Sequence, residues 1–263
     1  MYNFEFSKPS TVADAVAALA SEDAQALGGG QTLLPTMKQR LAQPETLVSL
    51  TGIDELKGVC QGDNGAVVVG GATTHATVAA DAAALYPALA ALASHIGDPQ
   101  VRNRGTIGGS LANNDPAACY PAAALGSGAT ITTNKRDIAA DDYFQGMFTT
   151  ALEEGEIITS VSFPVPEAAN YQKFVQPASR FAMVGIFVAK YSDGVRVAVT
   201  GASEDGVYRW SEAEAALSSN FSASALSDLS VSSDGMITDL HATAAYRAHL
   251  VKVMTGRAVA AAS

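Results

Sequence analysis

Three consecutive glycines, Gly28 to Gly30, lie between an apolar run and a helical pattern in ALGGGQTLLPTMKQR, and they constrain the fold more than any other stretch. Glycine loses more backbone freedom on folding than any other residue, about 0.5–1 kcal/mol relative to alanine inside a regular element. A triplet fits where a side chain would block a close approach. After it, Leu33, Leu34, Met37 and Leu41 recur at helical spacing, with Pro35 in the first turn, where its missing N–H does no harm. The segment predicts a tight loop that opens a helix. Such a loop directs unpaired N–H groups and partial positive charge at an anion. A turn shaped by geometry alone is the other reading of an isolated triplet.

A second cluster follows about 75 residues later in RNRGTIGGSLANNDPAACYP, where Gly105, Gly108 and Gly109 sit among Thr106 and Ser110, with Asn113, Asn114 and Asp115 just beyond. Two bare-backbone loops predict closure on one extended ligand: amides meet its charge, hydroxyls and side-chain amides its polar edges. A dinucleotide has that shape. Neither cluster has the Gly-x-Gly-x-x-Gly spacing of a Rossmann turn, and there is no Gly-Lys-Ser/Thr phosphate loop.

Around these clusters the pattern alternates strands and helices. Tyr2–Phe6 reads as a strand, Thr11 and Asp14 have capping-box spacing before a helix, and AQALG is a strand entering the first loop. AVVVGG is a buried strand; THATVAADAAALYPALAALASHIG reads as one or two alanine-rich helices. ATITT and EIITSVSFPVP read as strands, and Pro164, Pro166 and the following EAAN as a linker. Beyond it, RFAMVGIFVAK, the turn YSDG and VRVAVTGA predict a β-hairpin. Helices are expected at WSEAEAAL, SASALSDL and TAAYRAHLVKVMTGRAVAAA. The expected division is 1–167, with lobes of about 1–55 and 56–167, followed by 168–263.

Charge narrows the class of ligand. With 26 acidic against 16 basic residues and a net charge of −10, the chain is a poor partner for nucleic acid, where binding rests on lysine and arginine. No secretory pattern and no apolar run long enough to span a bilayer occurs, so a cytoplasmic location is expected, free or peripheral at the inner membrane face. Cys60 and Cys119 are too few for a four-cysteine metal or iron–sulfur site, so any cluster belongs to a partner.

The two glycine motifs, together with GATTHATVA, IGDPQVRNRGTIGGSLANNDPAA, GEIITSVSFP, KFVQPASRFAMVGIFVA and YRAHLVKVMTGRAV in that order, make the chain resemble the flavin-binding medium subunits of molybdenum hydroxylases, closest to the carbon monoxide dehydrogenase type. The resemblance implies an α+β fold: a two-lobed FAD-binding domain of the vanillyl-alcohol-oxidase or p-cresol-hydroxylase type, then a smaller α+β C-terminal domain. It implies FAD in this chain, and iron–sulfur clusters and a molybdenum cofactor in a small and a large partner subunit, assembled as a dimer of heterotrimers. Electrons would pass from a two-iron two-sulfur partner through FAD to an external acceptor, with no catalytic side chain and no metal held here.

Carried over by position, Gly28, Gly29, Gly30, Gln31, Thr32 and Leu33 would wrap the diphosphate, and Thr106, Ile107, Gly108, Gly109 and Ser110 would form a second wall. Asn114, Asp115, Cys119, Ile158 and Gln176 complete the implied cofactor set. Three positions depart from the family pattern. Cys119 stands where an acidic residue is usual, Gln176 where a lysine or arginine is common, and Gly28 where alanine is common. Loss of a cation at Gln176 is expected to lower the flavin potential. Phe181 is either an aromatic against the flavin ring or a core phenylalanine, and Ile96, like Ile158, either lines the cofactor or is simple core.

Other constellations point away from chemistry. His75, His95, His241 and His249 lack the spacing of a helical metal site, and a capping or hydrogen-bonding role is expected for His75. Asp141, Asp142, Glu153 and Glu154 read as solvated surface. Cys119 is either a thiol activated by a helix N-terminus or a small buried side chain. Lys38, Arg40, Arg102 and Arg104 would balance diphosphate charge, meet a partner or simply face water. The rival functions are a self-contained flavin oxidase or dehydrogenase of a small molecule, and a binding module without FAD.

Overall fold

The chain enters through a short strand, β1 (Glu5–Ser7), and Thr11 then starts α1 (Val12–Leu19) by accepting a hydrogen bond from the Asp14 amide at 3.1 Å while its hydroxyl donates to the Asp14 carboxylate. The computed structural model describes residues 1–262. After β2 (Ala24–Leu27) come α2 (Leu33–Lys38) and β3 (Thr46–Ser49). The sheet order is β1-β3-β2, with β3 parallel to both neighbours. Parallel pairing requires crossovers, which α1 and α2 supply. Ala15 and Leu19 of α1 bury against Val48 and Ile53, and Met37 of α2 buries with Leu27 and Leu47.

The second lobe runs through β4 (Val59–Gln61), β5 (Val67–Gly70), α3 (His75–Asp81), α4 (Pro87–Ser94), α5 (Pro99–Arg102), α6 (Ile107–Asn113), α7 (Tyr120–Ser127), β6 (Thr130–Thr133), β7 (Asp137–Ala139), α8 (Ala140–Tyr143) and β8 (Ile158–Phe163). Its antiparallel sheet has the order β4-β5-β8-β6-β7. The alanine-rich stretch divides into α3 and α4 because Pro87, lacking an N–H, takes the first position of a new helix. The second glycine cluster is not a loop throughout: from Ile107 onward it is helix, with the Thr106 hydroxyl capping it by accepting from the Gly109 amide at 3.2 Å.

The third sheet consists of β9 (Ala168–Val175), β10 (Ala182–Tyr191), β11 (Gly194–Ser203) and β12 (Gly206–Arg209), in the order β12-β11-β10-β9, covered by α9 (Ser211–Ser219) and α10 (Ala244–Ala261). The hairpin predicted around YSDG is β10 and β11, with Tyr191 paired to Gly194. The linker predicted through EAAN ends sooner, because β9 begins at Ala168 to pair with β10 at Lys190. SASALSDL forms a single 3-10 turn at Ala223–Leu226, not a longer helix. There the Ser222 hydroxyl caps the turn by accepting from the Ser224 amide.

β10 is buried on both faces. Val184, Ile186 and Val188 pack toward Trp210, Val251 and Met254, while Phe187 and Ala189 join Tyr86 and the α7 alanines. One apolar cluster therefore runs from the second lobe into the third sheet across the Pro164–Glu167 link. Polar ties reinforce it. Arg196 of β11 reaches both Asp141 carboxylate oxygens at 2.8 Å and the Leu125 carbonyl, and the Thr200 hydroxyl donates to the carbonyls of Pro116 and Ala118. Asp141 and Glu153 stay exposed, as expected, while pairing with Arg196 and, at 3.0 Å, with Lys135. Asp142 and Glu154 also face water.

Glu156, just before β8, is the strongest carboxylate anchor of the second lobe. Burial pushes its carboxyl up, but hydrogen bonds from Arg136 (3.2 Å), the Thr133 hydroxyl (2.6 Å) and the Glu153 amide (2.8 Å) outweigh that and bring it down to about 2. A depressed carboxylate stabilises fully above its unfolded pKa, and that stability is lost as pH falls through the folded value. Glu156→Gln should lower unfolding free energy by about 1–3 kcal/mol at pH 7. The gap from the parent protein should close between pH 4.5 and 2 in urea melts.

Candidate functional site

The two glycine segments meet, backbone against backbone. A Cβ built on Gly29 would lie 1.7 Å from the Arg104 carbonyl oxygen, and one on Gly28 would lie 2.7 Å from the Thr106 hydroxyl and 3.8 Å from the Gly109 Cα. Gly30 turns the chain at φ +70°, a conformation that glycine adopts without Cβ strain. Behind this contact, the Gly108 amide donates to the Gly71 carbonyl at 2.9 Å, and a Cβ on Gly108 would sit 2.6 Å from that oxygen. The Thr74–Thr106 bridge completes the seam, with the His75 amide donating to the Gly105 carbonyl and the Ile107 amide to that of Thr73.

The two segments differ in what they offer a ligand. From Gly28 through Leu33, no main-chain N–H has an acceptor among the described residues. Buried amides are nearly always paired; Gly29 is buried, while Gln31 and Thr32 are exposed, so the run leaves N–H groups that can meet an anion. In the second segment the amides of Ile107, Gly108, Gly109 and Ser110 are all taken by protein acceptors. Free amides are expected from the sequence on both walls, but only the first segment has them. The second wall contributes the exposed Gly109 surface, the half-buried Ser110 and tight support.

The remaining expected residues divide into those at a cavity and those in core. At the C-terminal end of α6, Asn114 takes a left-handed conformation (φ 42°, ψ 47°) and its side-chain amide donates to the carbonyls of Gly146 and Thr149, both at 2.8 Å. Asp115 accepts from the Ala117 amide, and burial raises its pKa. It lines a cavity of about 610 Å³ with Gln176, Phe181, Met147, Met183 and Arg247. Gln176 folds inward, its oxygen accepting from the amides of Ala178 (2.6 Å) and Ser179 (2.9 Å), while its nitrogen meets His241 Nδ1 at 3.3 Å. Phe181 is 53% exposed at this cavity, which excludes the core role.

By contrast, the side chains of Cys119, Ile158 and Ile107 lie in the main apolar core, and Leu33 packs beside Met37. Cys119 is 4% exposed, so it is the small buried side chain of the two readings. Ile96 packs half-buried against the same core. Among the described residues, no cluster of histidine, cysteine and carboxylate has metal-site geometry.

His75 is not the cap of its helix. Thr74 caps α3, and the His75 ring tilts against Tyr120 at 5.3 Å. Burial, aided by Arg102, lowers its pKa to about 4, so it is neutral at neutral pH. Of the basic residues near the first loop, Arg102 donates to the carbonyls of Ile96 and Gly97, and Arg40 lies over the Tyr2 ring.

Two contributors were invisible in the pattern. Gly71 forms the floor under Gly108, though its only sequence signal is its place after the strand AVVVG. Arg247 is 4% exposed in α10, bonded to the carbonyls of Met183 and Gly201 and to Asp239 at 2.7 Å. An arginine in a long amphipathic helix gives no sign that it will be buried.

A family model described as the FAD binding domain in molybdopterin dehydrogenase matches residues 2–166. The chain is 39% identical to the carbon monoxide dehydrogenase medium chain of Afipia carboxidovorans over 73% of this chain and 70% of that one. It is 35% identical to the nicotine 6-hydroxylase medium subunit of Paenarthrobacter nicotinovorans over 97% and 95%. A chain of the reconstituted carbon monoxide dehydrogenase from Oligotropha carboxidovorans superposes with a TM-score of 0.89 at 32% identity, covering 98% of this chain and 97% of that one.

The seam separates two kinds of glycine. Gly29→Ala should destabilise the protein by about 3 kcal/mol or more, since its methyl would strike a fixed carbonyl, and thermal melts will show the loss. Gly109→Val, on the exposed wall, should cost much less stability yet strip the bound flavin, read as visible absorbance per protein.

Proposed function

The chain belongs to the FAD-binding family of the molybdopterin dehydrogenases, and we propose that it is the electron-transfer subunit of a molybdenum hydroxylase of the carbon monoxide dehydrogenase type. In this reading it receives electrons from a two-iron two-sulfur partner and delivers them to an external acceptor. The observation that carries it is the run of unpaired amides from Gly28 to Leu33, pressed against the second glycine segment. The cradle fits a diphosphate.

Within that reading, the amides of Gly28 through Leu33 hold the diphosphate, and Gly109 and Ser110 leave room beside it. α6 runs about 10 Å from this wall toward Asp115, so an extended dinucleotide would fit along it, with Asp115, Gln176 and Phe181 available to hold its ring end. FAD, when bound, supplies redox chemistry in one- and two-electron steps. The protein's part is to position and shield. Met147, Phe181, Met183 and Ile237 give the cavity apolar walls that limit water, and the neutral His75 adds no charge behind the seam. Gln176 hydrogen bonds where a cation is common in the family, so the site stabilises an anionic reduced ring less.

The small iron–sulfur and large molybdenum subunits complete the assembly as a dimer of heterotrimers, in the cytoplasm. No helix among the described residues is long and apolar enough to cross a membrane.

Purification from the native host should yield a yellow complex containing flavin, iron and molybdenum. The separated chain should retain flavin absorbance yet resist bleaching by alcohols or aldehydes until the iron–sulfur subunit and a reductant are supplied. Direct bleaching of the separated chain by such a substrate would replace this reading with a self-contained oxidase or dehydrogenase.

A further inference from the structure

A second cavity, of about 500 Å³, opens at the seam between the second lobe and the third sheet. Its walls are the loop around His95 and Gly97 with Arg102 on one side, and Lys173 of β9 with Arg180 of the following turn on the other. No carboxylate lines it, although the chain carries ten more acidic than basic residues. The nearest acid in sequence, Asp98, has one carboxylate oxygen committed to the Val101 amide at 2.9 Å.

The cations keep donors free. One terminal nitrogen of Arg102 reaches the carbonyls of Ile96 (3.1 Å) and Gly97 (3.0 Å), leaving its other nitrogens without acceptors among the described residues. Lys173 donates one hydrogen bond, to the His95 carbonyl at 3.0 Å, and keeps two N–H groups. The guanidinium of Arg180 has no acceptor among the described residues and is exposed. Arg102 and Lys173 both stand near enough to His95 to disfavour its protonated form, beyond the effect of burial. Three like charges around one cavity repel one another unless an anion joins them.

We propose that this cavity is a binding site for a phosphorylated small molecule, held by Arg102, Lys173 and Arg180, separate from the amide cradle at Gly28–Leu33. Guanidinium groups pair with phosphate through parallel N–H bonds, and three cations match a diphosphate better than a single carboxylate. The volume lies within the range of small-ligand pockets, roughly 300–1,000 Å³, and leaves room for more than phosphate alone. The two sites use different physics: unpaired main-chain amides in one, side-chain charge in the other.

The test uses the flavin-loaded protein at low ionic strength, so that the cradle is already filled. Inorganic phosphate, pyrophosphate and adenosine diphosphate are titrated calorimetrically. Pyrophosphate should bind, Lys173→Ala and Arg180→Ala should each weaken it five-fold or more, and Arg180→Glu should abolish it. Flavin content and circular dichroism should not change. Adenosine diphosphate binding more tightly than pyrophosphate would support the site and assign it to a nucleotide; equal affinity would support it for the free diphosphate. Tightest binding of inorganic phosphate would support a single phosphoryl group. Absence of binding by all three, or equal binding by parent and variants, would overturn the proposal. Loss of flavin from Arg180→Ala would also overturn it, since the cavity would then belong to the FAD cradle.

Discussion

Carbonyl groups pressed where side chains would otherwise stand hold this molecule in its working shape. Gly29 against Arg104 and Gly108 against Gly71 bring the first lobe, the α6 helix and the β5 end into one seam. The consequence is a division of labour that composition could not reveal. Glycines at the seam are required by packing, and the amides beside them are left free of internal partners. A loop that satisfied its own N–H groups would pack as well and bind nothing.

The third sheet extends this arrangement. Because β10 buries both faces, the second lobe and α10 share it as a common wall, and the Arg196 and Thr200 contacts tie that wall to α7 and α8. Arg247, bonded through both terminal nitrogens, fixes the start of α10 beside the Asp115 cavity. The Asp115 cavity and the C-terminal helix are thus mechanically linked.

Much of this was legible in the residues. The cap at Thr11, the hairpin at YSDG and the loop at Gly28 followed from local chemistry, because each depends on neighbours within a few positions. The resemblance to the flavin subunits added the two-lobed fold, which periodicity alone did not supply. What stayed hidden depends on distant partners. That Arg196 pairs with Asp141 at the surface, and that the Ile107–Ser110 amides are already spent, are tertiary facts. The segment SASALSDL, expected as a helix from its periodicity, closes as a single capped 3-10 turn.

The shared apolar cluster across Pro164–Glu167 bears on how such chains can be rearranged by recombination. A cut at that short connection falls cleanly between sheets, yet it would tear Phe187 from Tyr86 and leave each fragment with an open, greasy face. Exchange of the C-terminal module between relatives should therefore succeed only when the α7 surface travels with it.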